Sequence, residues 1–160
     1  MIIRRIRENE LNQALDLVYK VFMEFEAPDY PAEGVESFVN DIIKNEGFKE
    51  GCLIGKFKMY GAFEADNIVG IMTMRKESHV MLAFVDAERH KQGVGRKLFE
   101  HILNEIVLDN PTITDITVNS SPYAVGFYKK LGFIETDDLQ EKHGIRFVPM
   151  SYHIVTSTIR

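Results

Sequence analysis

The sequence predicts a mixed α/β fold of the α+β kind, in which hairpins break any regular alternation of strand and helix. Three observations carry this. Leu11, Ala14, Leu15, Val18, Val21, Phe22 and Phe25 recur at three- and four-residue steps, the period of one helix face. Residues 58–65 and 68–75 are rich in aromatic and aliphatic side chains, with Asp66-Asn67 between them, which reads as a hairpin. Residues 79–85, HVMLAFV, form the apolar run of a buried central strand.

Each element follows in order. Ile2, Ile3 and Ile6 make a short apolar start suited to a strand. The helix after it has Asn9 placed to cap it and should stop near Ala27-Pro28, because the residue before a proline is pushed out of the α region. A shorter helix over residues 31–43 would turn Val35, Phe38, Val39, Ile42 and Ile43 inward. After the hairpin and the central strand comes a polar, glycine-containing turn over residues 86–95. Leu98, Phe99, Ile102, Leu103 and Ile106 then mark a strong helix. Ile113, Ile116 and Val118 suggest a strand, and Ser121-Pro122 opens a short helix through Leu131 with Gly132 suited to its C-cap. Residues 147–155 read as a last strand paired near Phe133, and His143-Gly144 as the turn of a final hairpin.

Composition narrows the function classes. The 160 residues are 45% hydrophobic and 27% charged, too ordinary for intrinsic disorder and suited to a single domain over 1–160. Nineteen Lys and Arg against twenty-four Asp and Glu leave a net charge of −5, which argues against a dedicated nucleic-acid binder. Cys52 is alone, so neither an internal disulfide nor a multi-cysteine zinc site is expected. His79, His90, His101, His143 and His153 are scattered, with no helical pair at zinc-ligand spacing, so no metal is expected. No apolar stretch is long enough to span a membrane and the N-terminus lacks a signal-peptide core, so the expected compartment is the cytoplasm.

The segment that carries chemistry is residues 79–103, where a buried strand runs into a loop and Gly93-Val94-Gly95 opens a helix. Unpaired N–H groups of a helix's first turn, its dipole and the close approach that glycine allows make an anion site. Lys91 and Arg96 add positive charge around the same point. The alternative is an ordinary turn whose glycines relieve backbone strain. A dinucleotide site needs a third glycine where Leu98 stands, and no Gly-Lys-Ser/Thr of a P-loop is present, so a nucleotide-binding domain is disfavoured.

Two blocks resemble the GNAT superfamily of N-acetyltransferases. Residues 90–95, His-Lys-Gln-Gly-Val-Gly, are similar to its Arg/Gln-x-x-Gly-x-Gly/Ala signature, with His90 in place of Arg or Gln. Residues 121–133 resemble its second block through Ala124, Phe127, Tyr128, Leu131, Gly132 and Phe133, with Ser121 in place of the usual Asn and Asn119 close by. The resemblance implies a mostly antiparallel, twisted sheet flanked by helices, with two strands splayed at the cofactor site. It implies acetyl-CoA as acetyl donor, held by Ala83, Phe84, Val85, His90, Lys91, Gln92, Gly93, Val94, Gly95, Arg96, Asn119, Ser121 and Tyr128.

The resemblance also implies roles. The oxyanion donor would be a backbone N–H of residues 83–85, with Phe84 the single choice. Tyr128 would be the general acid, protonated at neutral pH by its ordinary pKa, or else a packed tyrosine. In some branches an acidic residue on the central strand deprotonates the amine; counting back from Val85 puts His79 there, against the alternatives of a boundary histidine or a water chain. Five acids and no Lys or Arg between Met23 and Asn40 would favour a cationic amine, or merely form a solvated surface. Phe25, Glu26 and Tyr30 are the acceptor-side candidates. The reaction implied is direct attack of a primary amine, from a small molecule or a peptide, in a ternary complex. The alternative is an acyl-CoA-binding sensor on the same fold without efficient chemistry. A homodimer is common in the family.

Overall fold

The computed structural model describes residues 1–155. Its strands are β1 (Ile2–Arg5), β2 (Phe57–Glu64), β3 (Asn67–Arg75), β4 (His79–Val85), β5 (Asp115–Ser120), β6 (Ile134–Glu135), β7 (Gln140–Lys142) and β8 (Ile145–His153). They form one sheet in the order β1-β2-β3-β4-β5-β8-β6, with β7 paired to β8 off that path. Every pairing is antiparallel except that of β4 with β5. The fold is therefore mixed α/β with a mostly antiparallel sheet flanked by helices.

Alternation along the strands decides what each face meets. Met59 and Phe63 of β2 pack with Leu15, Val18 and Phe22, on the face that carries α1 (Leu11–Val21), α2 (Ala32–Phe38) and α3 (Glu46–Leu53). Tyr60 and Ala62 pack with Leu98, Phe99 and Ile102 of α4 (Val94–Asp109) on the other face, joined by Tyr128 and Leu131 of α5 (Val125–Leu131). Leu98, Phe99 and Ile102 are at most 2% exposed. Burial of side chains of this size contributes about 1.5–3 kcal/mol each, so α4 is a firm support for the loop at its N-terminus.

Two bulges set the phase of the central strands. Ala62 pairs with Gly70 and Phe63 with Ile68, which leaves Val69 as the extra residue. Gly70 then faces α4, where an added Cβ would lie 2.9 Å from Val94 Cγ1; glycine is what lets the first turn of α4 settle on the sheet. Thr73 pairs with Leu82 and Met74 with Val80, so Met81 is the extra residue of β4.

Several expectations need correction. Asn9 does not cap the first helix. Glu10 Oε1 accepts the Arg7 N–H at 2.8 Å, while Arg4 holds both Glu10 oxygens at 2.9 and 2.8 Å, so the entry is fixed by an ion pair from β1. The helical stretch does run on to residue 29, but as a π turn (Phe22–Glu26) followed by a 3-10 turn (Ala27–Asp29). The second helix likewise ends in a π turn, Val39–Ile43. Helix α3 is an element that periodicity did not suggest. The last strand spans Ile145–His153 and pairs with both β5 and β6. The final hairpin turns at His143-Gly144, both with positive φ (53° and 77°), as a two-residue type I′ connection requires. Among the described residues no helix is long and apolar enough to cross a membrane.

Candidate active site

β4 and β5 pair only at His79–Thr117 and Val80–Val118, and beyond Val80 they part. The gap is bordered by residues 81–84 on one side and 118–121 on the other. The register decides which amides of β4 face it. Asp86 N–H donates to Val69 O at 2.9 Å, and pairing alternates along an antiparallel ladder, so the Phe84 N–H points to β3. The amides of Ala83 and Val85 point into the gap. The amide of Ala83, one residue before Phe84, is thus turned toward the gap, and Ala83 borders the cavity. The Phe84 ring, 5% exposed, serves as wall.

The loop from β4 to α4 is built by local polar bonds. Asp86 Oδ1 accepts the Glu88 N–H at 3.0 Å, and Arg89 is tied to Glu64 at 2.6 and 3.1 Å. His90 turns inward: its Nε2 bonds Val85 O at 2.8 Å and its ring lies 4.7 Å from that of Phe25. Lys91 takes φ 63° and Gly93 φ 81°. Gly93 is the N-cap of α4, and among the described residues no side chain caps that helix. The first-turn amides of Val94, Gly95 and Arg96 are thus left to an outside acceptor. Open space surrounds Gly93, since an added Cβ would meet nothing within 4 Å. Gly95 has a different reason: a Cβ there would lie 2.6 Å from Phe127, so it lets α5 pack against α4. Lys91 and Gln92 are exposed, and Gln92 donates to Glu88 O at 3.0 Å. Arg96 donates to Lys130 O at 2.9 Å, which holds its guanidinium toward α5.

A cavity of about 140 Å³ fills the gap and extends to the α1–α2 side. Phe22, Tyr30 and Phe38 form an aromatic wall in which Phe22 stacks on Phe38 at 3.8 Å. Ile145, Arg146 and Phe147 form the wall opposite. Between them stand Glu26, Asn119, Ser121 and Tyr128. Burial pushes the Glu26 carboxyl up to about 7, with Asp29 adding to the rise and a hydrogen bond from Ser121 opposing it. Burial, and then the Glu26 charge, raise the Tyr128 phenol above its ordinary value, so it stays protonated. Ser121 Oγ also accepts the Ala124 N–H at 3.2 Å, capping the turn into α5.

The remaining candidates lie apart. His79 opens β4, its Nδ1 2.7 Å from Thr117 Oγ1, and is not among the residues that line the cavity. Burial and the nearby Arg75 and Lys76 lower it to about 4, leaving it a weak base. Phe25 does not line the cavity either; its ring lies between those of His90 and Tyr123, 5.4 Å from the latter. Among the described residues no cluster of His, Cys, Asp and Glu could hold a metal. Phe22 and Phe38 were expected only as apolar helix positions, and Arg146 and Met81 carried no site expectation, because no local pattern marks residues that meet only in three dimensions.

A split sheet that opens onto a helix with free amides is the transferase architecture inferred from the two motif blocks. The sequence pattern of the acetyltransferase (GNAT) domain matches residues 26–154, and the chain belongs to this family. The peptidyl-lysine N-acetyltransferase YjaB of Salmonella typhimurium is 37% identical over 81 residues, 48% of this chain and 52% of that protein. The chain thus spans about half the length of the curated relatives it matches. A GCN5-related N-acetyltransferase from Rhodopseudomonas palustris superposes with a TM-score of 0.80 at 17% identity, covering 96% of this chain and 95% of that one. The PaiA N-acetyltransferase of Thermoplasma acidophilum, solved with coenzyme A, has a TM-score of 0.71 at 16% identity over 96% and 98% of the two chains. At such identities the likeness is one of fold.

Proposed function

We propose that this chain transfers an acetyl group from acetyl-CoA to a primary amine, by direct attack in a ternary complex. The observation that carries the reading is the pairing, in one cavity, of a carboxyl poised near neutrality and a phenol held protonated. The residues present suit the donor: uncapped amides at α4 with open space at Gly93 for a pyrophosphate, and the Ala83 and Val85 amides for an arm lying along β4. When bound, acetyl-CoA supplies an activated thioester carbonyl and a thiol leaving group.

Glu26 accepts a proton from the attacking amine, and the Ala83 N–H donates to the carbonyl oxygen as it gains charge. Tyr128 donates its phenolic proton to the sulfur. One N–C bond forms as one C–S bond breaks, and the proton gathered by Glu26 restores Tyr128. The peptidyl-lysine acceptor in the name of the YjaB relative makes a lysyl side chain the first acceptor to try. The test is thiol release from acetyl-CoA with lysyl peptides, small amines, polyamines and aminoglycosides. Turnover with at least one primary amine is expected, abolished or strongly reduced in Glu26→Gln. Coenzyme A binding without turnover across the panel would replace the enzyme by a sensor on the same fold.

A further inference from the structure

The two walls of the acceptor side come from segments more than a hundred residues apart, and they are joined along one seam. Tyr30 Oη donates to Arg146 O at 3.3 Å, and Ser37 Oγ donates to His143 O at 3.1 Å. Between these bonds the backbones of Gly34 and Gly144 touch directly. A Cβ on Gly34 would lie 2.2 Å from Gly144 O, and one on Gly144 would lie 2.5 Å from Gly34 N. The outer two bonds pair a side chain with backbone of the turn and first residues of β8, but the Gly34–Gly144 contact is main chain against main chain, and no rotamer can adjust it. Gly144 is also required by its φ of 77°. No such reason applies to Gly34, which sits inside α2 where glycine is a poor helix former. The contact with Gly144 is what its missing side chain serves.

The seam borders the cavity, because its Tyr30–Arg146 bond joins two of the residues that line it. The volume of about 140 Å³ is small, against roughly 300–1,000 Å³ for the site of a drug-sized ligand, and the acetyl end of the donor needs part of it. Beside the acetyl end, little volume is left around Glu26 for a bulky acceptor.

We propose that the Gly34–Gly144 contact is a specificity-determining clasp that admits only a slender, unbranched amine chain to Glu26 and leaves the rest of the acceptor outside. The proposal rests on the reading of this cavity as the acceptor site. A lysyl side chain and a simple alkylamine share the required chemistry; a ring amine or an amine on a branched carbon does not.

The test compares n-butylamine, a lysyl peptide and cyclohexylamine on the wild type, Gly34→Ala and Ser37→Ala. Wild type is expected to favour the two linear amines in kcat/KM by roughly tenfold or more, the discrimination a shape-limited pocket can supply. Gly34→Ala is expected to cut that preference by about tenfold, mainly through a lower KM for cyclohexylamine. Ser37→Ala shifts it the same way by less, and it carries the test if Gly34→Ala does not fold. The lysyl peptide against butylamine tells which source of the chain is preferred. An unchanged ratio in both variants, or a wild type that favours cyclohexylamine, overturns the clasp. Calorimetric binding of the same amines in the presence of coenzyme A separates this from the transfer reading. Selective binding that Gly34→Ala relaxes supports the clasp even if no amine is turned over, and unselective binding overturns it.

Discussion

Glu26 shows how much one side chain's surroundings decide. A free glutamate titrates near 4.5, whereas burial here lifts the group to about 7. Below that pH the carboxyl holds its proton and cannot take one from an amine. The expected kcat/KM therefore rises with pH through about 7, and Glu26→Gln removes that limb while lowering turnover by about 10²–10⁴-fold. Stability carries the opposite slope. The folded state binds this proton more tightly than the unfolded chain, so the group's contribution is largest below 4.5 and declines as pH rises toward 7. The loss is of order 1–3 kcal/mol, read by denaturant unfolding on either side of that window, and Glu26→Gln should flatten it. Tyr128→Phe keeps the packing of a fully buried ring and removes only the proton donor. Single-turnover acetyl transfer is expected to slow by about 10²-fold or more, and an unchanged rate would exclude Tyr128 as the acid. Counting along the central strand led to His79, since a strand position can be counted from sequence. The depth of Glu26 cannot, because it depends on a π turn and on α5 coming to lie beside it.

Among the elements, the hairpins and α4 were legible because their signals are local. Alternation, a two-residue turn and a 3.6-residue stripe need no knowledge of the rest of the chain. Helix α3 was not, and the reason is specific. Gly47 and Gly51 lower its helix propensity, yet Gly51 is there because a Cβ would lie 2.6 Å from the Phe57 ring of β2. A long-range contact thus wrote a helix breaker into a helix. What secures the element locally is Asn45, whose Oδ1 accepts the Phe48 N–H at 2.8 Å. Asn45→Ala should cost about 1 kcal/mol in denaturant unfolding and leave coenzyme A binding untouched. At α4 the opposite pattern is expected. Gly93 points to open space, so a larger residue there meets no neighbour and pays only for its φ of 81°. Gly93→Glu places a carboxylate where the first-turn amides should take a phosphate. The variant is expected to stay folded and lose coenzyme A affinity by tenfold or more in calorimetry, whereas Gly93→Ala keeps most of it.

Across the whole molecule, the loop proposed to hold the donor was legible in the sequence and the cavity proposed for the acceptor was largely not. The donor loop is one continuous stretch, so its glycines and cations appear together in the sequence. The cavity proposed for the acceptor draws on the π turn after α1, on α2, β4, β5, the turn into α5, α5 itself and β8, and only its charge is visible as a local run. That run stays together in three dimensions. Glu24, Asp29, Glu33 and Glu36 are exposed around the segment that carries Glu26, while Lys91 is exposed on the donor loop. A chain with a net charge of −5 therefore carries exposed charge of opposite sign on these two segments, which suits the proposed pairing of an anionic donor with a cationic amine. Attraction between exposed charges weakens over a Debye length of about 8 Å at physiological salt and about 3 Å at 1 M. Raising salt across that range is expected to increase KM for acetyl-CoA and for a lysine flanked by further lysines. KM for butylamine, whose single charge is taken up inside the cavity, should change far less. Equal salt dependence for the two amines would mean that the acidic segment is ordinary solvated surface, and that the acceptor is recognised by the cavity alone.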